Sequence, residues 1–288
     1  MAFSGLLALL DDVATIADDV ATLSMAAAKK TTGIVTDDMA VTAEQAIGIR
    51  REREIPVVLA VAKGSFINKA VFLTPGALLL SAVAPWSIAP ILMAGGSYLC
   101  FEGVEKVLHL GHKGEQDADE QALEDPEAFE QSRIKGAIRT DLILSAEIIA
   151  ISLGEVAAAP FLSQVVALYV VSIIMTVGVY GMVAGLIKID DLGELLYRKG
   201  QHRIGSFLLA GAPKLMHAIS FVGIFAMLMV GGHIIVKGIT PVHDFVEHLL
   251  HGLPLHGLLS VLADIAGGGV VGLAIVGVVT VIKRLRRR

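Results

Sequence analysis

Apolar runs close to 20 residues long, divided by tight turns and by stretches crowded with charge, leave this chain few ways to fold. A helix rises about 1.5 Å per residue and a bilayer's hydrocarbon is about 30 Å thick, so a spanning helix needs about 20 apolar residues. Six such runs follow residue 55: about 66–84, 86–104, 139–158, 162–187, 213–236 and 257–282. Apolar residues make up 55% of the chain and charged residues 18%, where a soluble domain carries about 45–50% and 25%. The expectation is an all-α polytopic membrane protein, its six transmembrane helices arranged as three hairpins, with amphipathic cytoplasmic helices attached.

The turns are uneven. Ala84-Pro85-Trp86 and Ala159-Pro160-Phe161 leave room only for tight reversals, while 105–138 and 188–212 are long and polar. Of the 23 Lys and Arg residues, 22 fall in the N-terminal region, in or within two residues of those two polar loops, in the C-terminal tail or at the entrance to the first span. Only Lys237, beside a histidine-rich loop at 237–256, lies on the other side. The positive-inside rule then puts both termini and both polar loops in the cytoplasm, with 237–256 outside. Pro75 is expected to break or kink the first span, the 55–62 run to be a lead-in to it, and Gly181 and Gly185 to allow close helix approach in the fourth. Residues 1–54 read as a cytoplasmic amphipathic region, acidic then basic, and 55–288 as the transmembrane domain. With its apolar stretch stopping at Leu10, the start lacks the form of a signal peptide.

That N-terminal region repeats itself. DDVA occurs at 11–14 and again at 18–21. Seven residues are close to two helical turns, so Asp11, Asp12, Thr15, Asp18, Asp19 and Thr22 share one arc, and most of the apolar residues lie opposite. Carboxylates and hydroxyls are hard oxygen ligands, suited to a bound cation of unknown identity. The plainer reading is the solvated face of an interfacial helix.

Within the spans, carboxylates are costly and must face the bundle, water or a partner. Asp141, Glu147, Glu155 and Asp264 are the candidates for an ion pathway, and Lys63 and Lys69 are natural counter-charges, with Asn68 beside them. The alternative is a set of structural ion pairs. In the 237–256 loop, His243, Glu247 and His251 fall at i, i+4 and i+8, spacing that suits a transition metal. The zincin motif H-E-x-x-H is absent, which disfavours a peptidase. There is no Walker A sequence, no dinucleotide fingerprint and no G-x-S-x-G. The lone Cys100 excludes an intrachain disulfide. The terminal KRLRRR suits lipid headgroups rather than nucleic acid.

The opening MAFSGLLALLDDVATIADDVATLSMAAAKKTTGIVTDD, continued by RREREIPVV and AKGSFINKA, resembles the bacterial inner-membrane family of unknown function typified by YedI. The resemblance covers essentially the whole chain. It implies a multi-spanning inner-membrane protein, sometimes described as a putative transporter, and no established substrate or catalytic residue. The expected function is an ion-coupled transporter or channel rather than an enzyme, with the bilayer and a small ion or solute as partners. A membrane scaffold that binds partners is the alternative, a metal-dependent membrane enzyme a weaker one, and a homo-oligomer stays open.

Overall fold

The computed structural model describes residues 17–29, 31, 38–44, 53–110, 126–250 and 256–286. Among these residues the chain is helical throughout, with no strand. In chain order the helices are α1 (17–29), α2 (38–44), α3 (Glu54–Ile67), α4 (Thr74–Val83), α5 (Ile88–Leu110), α6 (Pro126–Val156), α7 (Phe161–Ile187), α8 (Ile189–Arg198), α9 (His202–Gly238), α10 (Thr240–Leu250) and α11 (His256–Arg286).

Among the described residues, five helical stretches are long and apolar enough to cross a membrane: Glu54–Val83, Pro85–Leu108, Phe161–Ile187, Phe221–Gly238 and Gly257–Lys283. The expected span at 139–158 is not among them, because Arg139, Asp141, Glu147 and Glu155 interrupt its apolar sequence. Its residues lie in α6, whose Leu144, Ile148 and Ile149 are buried by protein.

The first span differs from expectation in where it begins, and it runs on past Pro75. It begins at Glu54, so the 55–62 run is part of the same helix rather than a lead-in. Nor does Pro75 break it: α3 passes into α4 through a π-helical turn, Asn68–Leu73. Proline has no N–H to give to the preceding turn, and the wider turn absorbs the mismatch. The Thr74 N–H reaches back to the Lys69 carbonyl. The carbonyl of Ala70, five residues before Pro75, accepts a hydrogen bond from the Tyr169 hydroxyl of α7 at 2.9 Å.

Two groups of helices make up the bundle. α3, α4, α6 and α7 pack together, and α5, α9 and α11 form the second group, with α6 also against α5. The second group is held close by glycine, at other positions than expected. A Cβ on Gly232 would run into the Asp264 carbonyl, one on Gly268 into the Leu228 carbonyl, and one on Gly272 into the Cys100 carbonyl. By contrast, nothing lies within 4 Å of a Cβ built on Gly181 or Gly185.

The outward faces are apolar. On α11, Leu262, Val270, Leu273 and Ile282 are exposed, as Ile173, Ile174 and Val177 are on α7. Such patches are too large for a water-facing surface and fit lipid. One end of the bundle carries the reversals at 84–87 and 157–160, the second closed by Gln164 Nε2 donating to the Ala157 and Ala159 carbonyls. The opposite end is charged. There Arg53 grips Glu130 through two nitrogens, and Lys188 binds Glu54 and Asp191. These partners hold Lys188 above the ordinary lysine range, Asp191 most strongly.

The long loops expected from the sequence are substantially helical. α5 runs on to Leu110 and α6 starts at Pro126, where the missing N–H costs nothing. α8 fills 189–198, with Asp190 and Asp191 in its first turn and Arg198 in its last, each favourable to the helix dipole. Gly200, at φ 86°, turns the chain into α9. α10 occupies most of 237–256. α1 and α2, read from sequence as part of a separate region, pack against the spanning helices: Val20, Ser24, Ala27, Ala40, Val41 and Ala43 are all buried.

Candidate functional site

Among the described residues two polar stations stand out, one buried in the bundle and one partly exposed. The first centres on Lys69 and Asp141, each with 2% of its side chain exposed. Lys69 Nζ donates to Asp141 Oδ1 at 3.0 Å, to Oδ2 at 3.1 Å, and to Ser65 Oγ at 2.5 Å. The Asp141 carboxylate also accepts from the Tyr180 hydroxyl at 2.9 Å and from Ser145 Oγ at 3.1 Å. All three ammonium hydrogens therefore have acceptors, and both carboxylate oxygens accept twice.

Local geometry builds this station from four short rules. Ser65 and Lys69 are i and i+4 on one strip, and so are Asp141 and Ser145, so each charge has a hydroxyl one helical turn away. The π-turn starts at Asn68 and carries Lys69. Tyr180 projects from α7 and closes the carboxylate from that side. A small cleft reaches Tyr180 from the charged end, lined by Thr42, Val58, Arg133 and Val183 among others. Two buried charges deprived of water are tolerable only when paired and fully hydrogen-bonded, as these are.

The second station joins the two groups of helices. His233 Nδ1 of α9 is 3.1 Å from Asp264 Oδ2 of α11. Glu147 of α6 is close enough to act on the same imidazole through space, and so is Lys237. Glu147 is buried and Asp264 is 15% exposed, while His233 is 48% exposed. The close backbone contact of Gly232 with Asp264 brings the imidazole and the carboxylate within reach. An imidazole between carboxylates can hold or pass a proton near neutral pH.

The expected residues fall out as follows. Asp141 and Lys69 meet directly, and Asp264 meets His233, while Glu147 is buried on α6 without a direct contact to that imidazole among those described. Lys63 and Glu155 are exposed and belong to neither station. Asp18, Asp19 and Thr22 are exposed on α1, opposite buried Val20, Ser24 and Ala27. Asp11, Asp12 and Thr15 lie outside the described residues. His243 sits on α10, His251 and the Glu247 side chain lie outside the description, and among the described residues no three metal-ligating side chains come together.

Four participants were not anticipated: Ser65, Ser145, Tyr180 and His233. The serines carried a usable signal, an i, i+4 spacing from a charge in an apolar run. His233 carried a weaker one, a lone imidazole in GGHII. Tyr180 had none, since only the packing of α7 against α6 brings it to Asp141.

At the charged end, Lys106 binds Glu44 of α2 at 2.6 Å and Glu102 at 3.4 Å, and Thr140 of α6 donates to Glu102 at 3.1 Å. This links α2, α5 and α6 below the first station.

Compared with known proteins, the chain matches no curated protein and no solved structure. A family model matches residues 4–282, nearly the whole length, and the chain belongs to that family, described as a protein of unknown function, DUF808.

Proposed function

We propose that the protein is an ion-coupled transporter or channel of the bacterial inner membrane, with a proton-handling station at Glu147, His233 and Asp264. The carrying observation is the 3.1 Å contact between His233 and Asp264, with Glu147 acting on the same imidazole. Carboxylates inside a membrane bundle are costly, and their usual compensation is work on ions or protons. Here they gather around the one kind of side chain that changes charge near neutral pH.

In this reading α6 is the sixth span. Its 31 residues give about 46 Å of helix, more than the hydrocarbon thickness. It need not be apolar all round, because its neighbours rather than lipid cover much of it. The positive-inside rule puts the charged end, with Lys106, Lys188 and the C-terminal tail, in the cytoplasm.

Reconstituted protein tests this directly. Liposomes with an entrapped pH-sensitive dye are given a pH gradient, with and without an opposing Na⁺ gradient. Dissipation faster than in empty liposomes is expected, and it should drop at least tenfold in Glu147→Gln and Asp264→Asn. Unchanged flux in both variants removes these residues from the pathway.

A second reading has its own observation. The Lys69–Asp141 station is so completely hydrogen-bonded that it has the form of a structural fastener, as a membrane scaffold would require. A scaffold gives no flux under any gradient, and its charge pair matters only to folding.

A further inference from the structure

The neighbours of α1 and α2 come in a regular order. Leu23 packs with Leu78, Leu153, Val156 and Leu168. One turn later, Ala27 packs with Ile148, Val171 and Met175. Asp38 acts electrostatically on Tyr180. Ala40 and Val41 belong with Leu99, Leu144 and Met227, and Ala43 with Val57, Ala137 and Val183. Glu44 reaches Lys106 at the charged end.

Read along α7, the partners advance from 168 through 171 and 175 to 180 and 183. Along α6 they run backwards, from 156 through 148 and 144 to 137. The first span gives the same answer, from Leu78 down to Val57. A helix lying on the surface of the charged end would meet one level of each neighbour. α1 and α2 meet every level in sequence. From Val156 to Ala137 is 19 helical steps, about 29 Å, which is the thickness of the hydrocarbon.

We infer that α1 and α2 between them carry the chain across the membrane against the bundle, parallel to α7, with residue 17 at the end that carries the reversals and residue 44 at the charged end. α11 runs antiparallel to α9, with Asp264 beside Gly232 and Gly268 beside Leu228, so it finishes at the charged end. Residue 17 and the end of α11 then lie at opposite faces of the membrane, where charge counting alone expects the same side.

The same contacts explain why this crossing escapes a hydropathy reading. The described parts of α1 and α2 are each shorter than 18 residues, and α1 buries only Val20, Ser24 and Ala27 along one face, so hydropathy alone does not single them out. Asp18 and Asp19 lie at the very end of the crossing, at headgroup depth. Asp38 is bonded by Thr42 at 3.3 Å and Glu44 by Lys106 at 2.6 Å, so the carboxylates in the other half are satisfied within the protein. Crossings built from two short helices are an established way of bringing polar groups to the midplane. Here the buried polar group is Asp38, bonded by Thr42. The inference needs no assumption about transport.

Cysteine labelling in cells decides it. The native Cys100 is buried and is replaced by Cys100→Ala. Ser4→Cys or Arg288→Cys is then added singly to the full chain. A membrane-impermeant maleimide is expected to label Ser4→Cys in intact cells, and Arg288→Cys only after permeabilisation. If the Cys100→Ala background folds poorly, a phosphatase active only outside the cytoplasm, fused ahead of residue 1, reads the same topology and is expected to be active. Labelling of both cysteines from one side, or an inactive fusion at normal abundance, overturns the inference.

Discussion

Lys69 and Asp141, 72 residues apart in sequence, are locked together by two contacts of 3.0 and 3.1 Å at a point where neither side chain is more than 2% exposed. Removing one partner strands the other charge without water, which costs about 3–5 kcal/mol. Lys69→Met and Asp141→Asn should each lower stability in detergent by about that amount. The double variant should lose much less than the sum, because no lone charge remains. Additive losses in a thermal-unfolding double-mutant cycle count against a direct pair.

Tyr180 offers a milder cut at the same station. Tyr180→Phe removes one of the three donors on Asp141 and leaves Lys69 and Ser145 in place. A lost hydrogen bond to a charged group is worth about 1.5–3 kcal/mol, and here the other donors soften the loss. A fall of about 1–2 kcal/mol is expected, clearly less than for Asp141→Asn, read by denaturant titration.

The glycine contacts predict a sharp contrast. Gly232→Val and Gly268→Val force α9 and α11 apart, against an overpacking cost of about 1–3 kcal/mol or more. Gly181→Ala, with no atom within 4 Å of the new Cβ, should be neutral or stabilising by up to about 1 kcal/mol. Folded yield after solubilisation and the unfolding midpoint of each variant provide the check.

His233 should separate function from folding. It is 48% exposed and outside the Lys69 station, so His233→Gln should unfold within about 0.5 kcal/mol of the parent. Its proton flux in liposomes should nonetheless fall at least tenfold, and the pH dependence near neutrality should flatten. A variant with full flux and an unchanged pH profile excludes the imidazole from the path.

How far the chain could be read before folding depends on which neighbour covers each helix. α7 and α11 face lipid along much of their length, so their sequences must be apolar, and both stand out at once. α6 is largely covered by protein, so it could keep Asp141 and Glu147, and no apolar run of spanning length marks it. α1 and α2 are the extreme case: α1 buries one narrow face and keeps Asp18, Asp19 and Lys29 exposed, while α2 buries Asp38 and Glu44, bonded by Thr42 and Lys106. The i, i+4 serines at Ser65 and Ser145 were legible because they lie on the same helix as the charge they serve. Tyr180 and His233 were not, because each meets its carboxylate across a helix interface.

By itself the sequence determined that the chain is helical, that apolar stretches of spanning length dominate it, and that its positive charge gathers at one end. Those properties follow from the solvent, since lipid punishes unpaired backbone and buried charge residue by residue. The tertiary structure alone decided which charge meets which, that Lys69 rather than Lys63 takes Asp141, and that α1 and α2 lie among the spans. Those choices depend on helix packing, where glycine contacts and a π-turn move a side chain through space in ways that no one-dimensional pattern records.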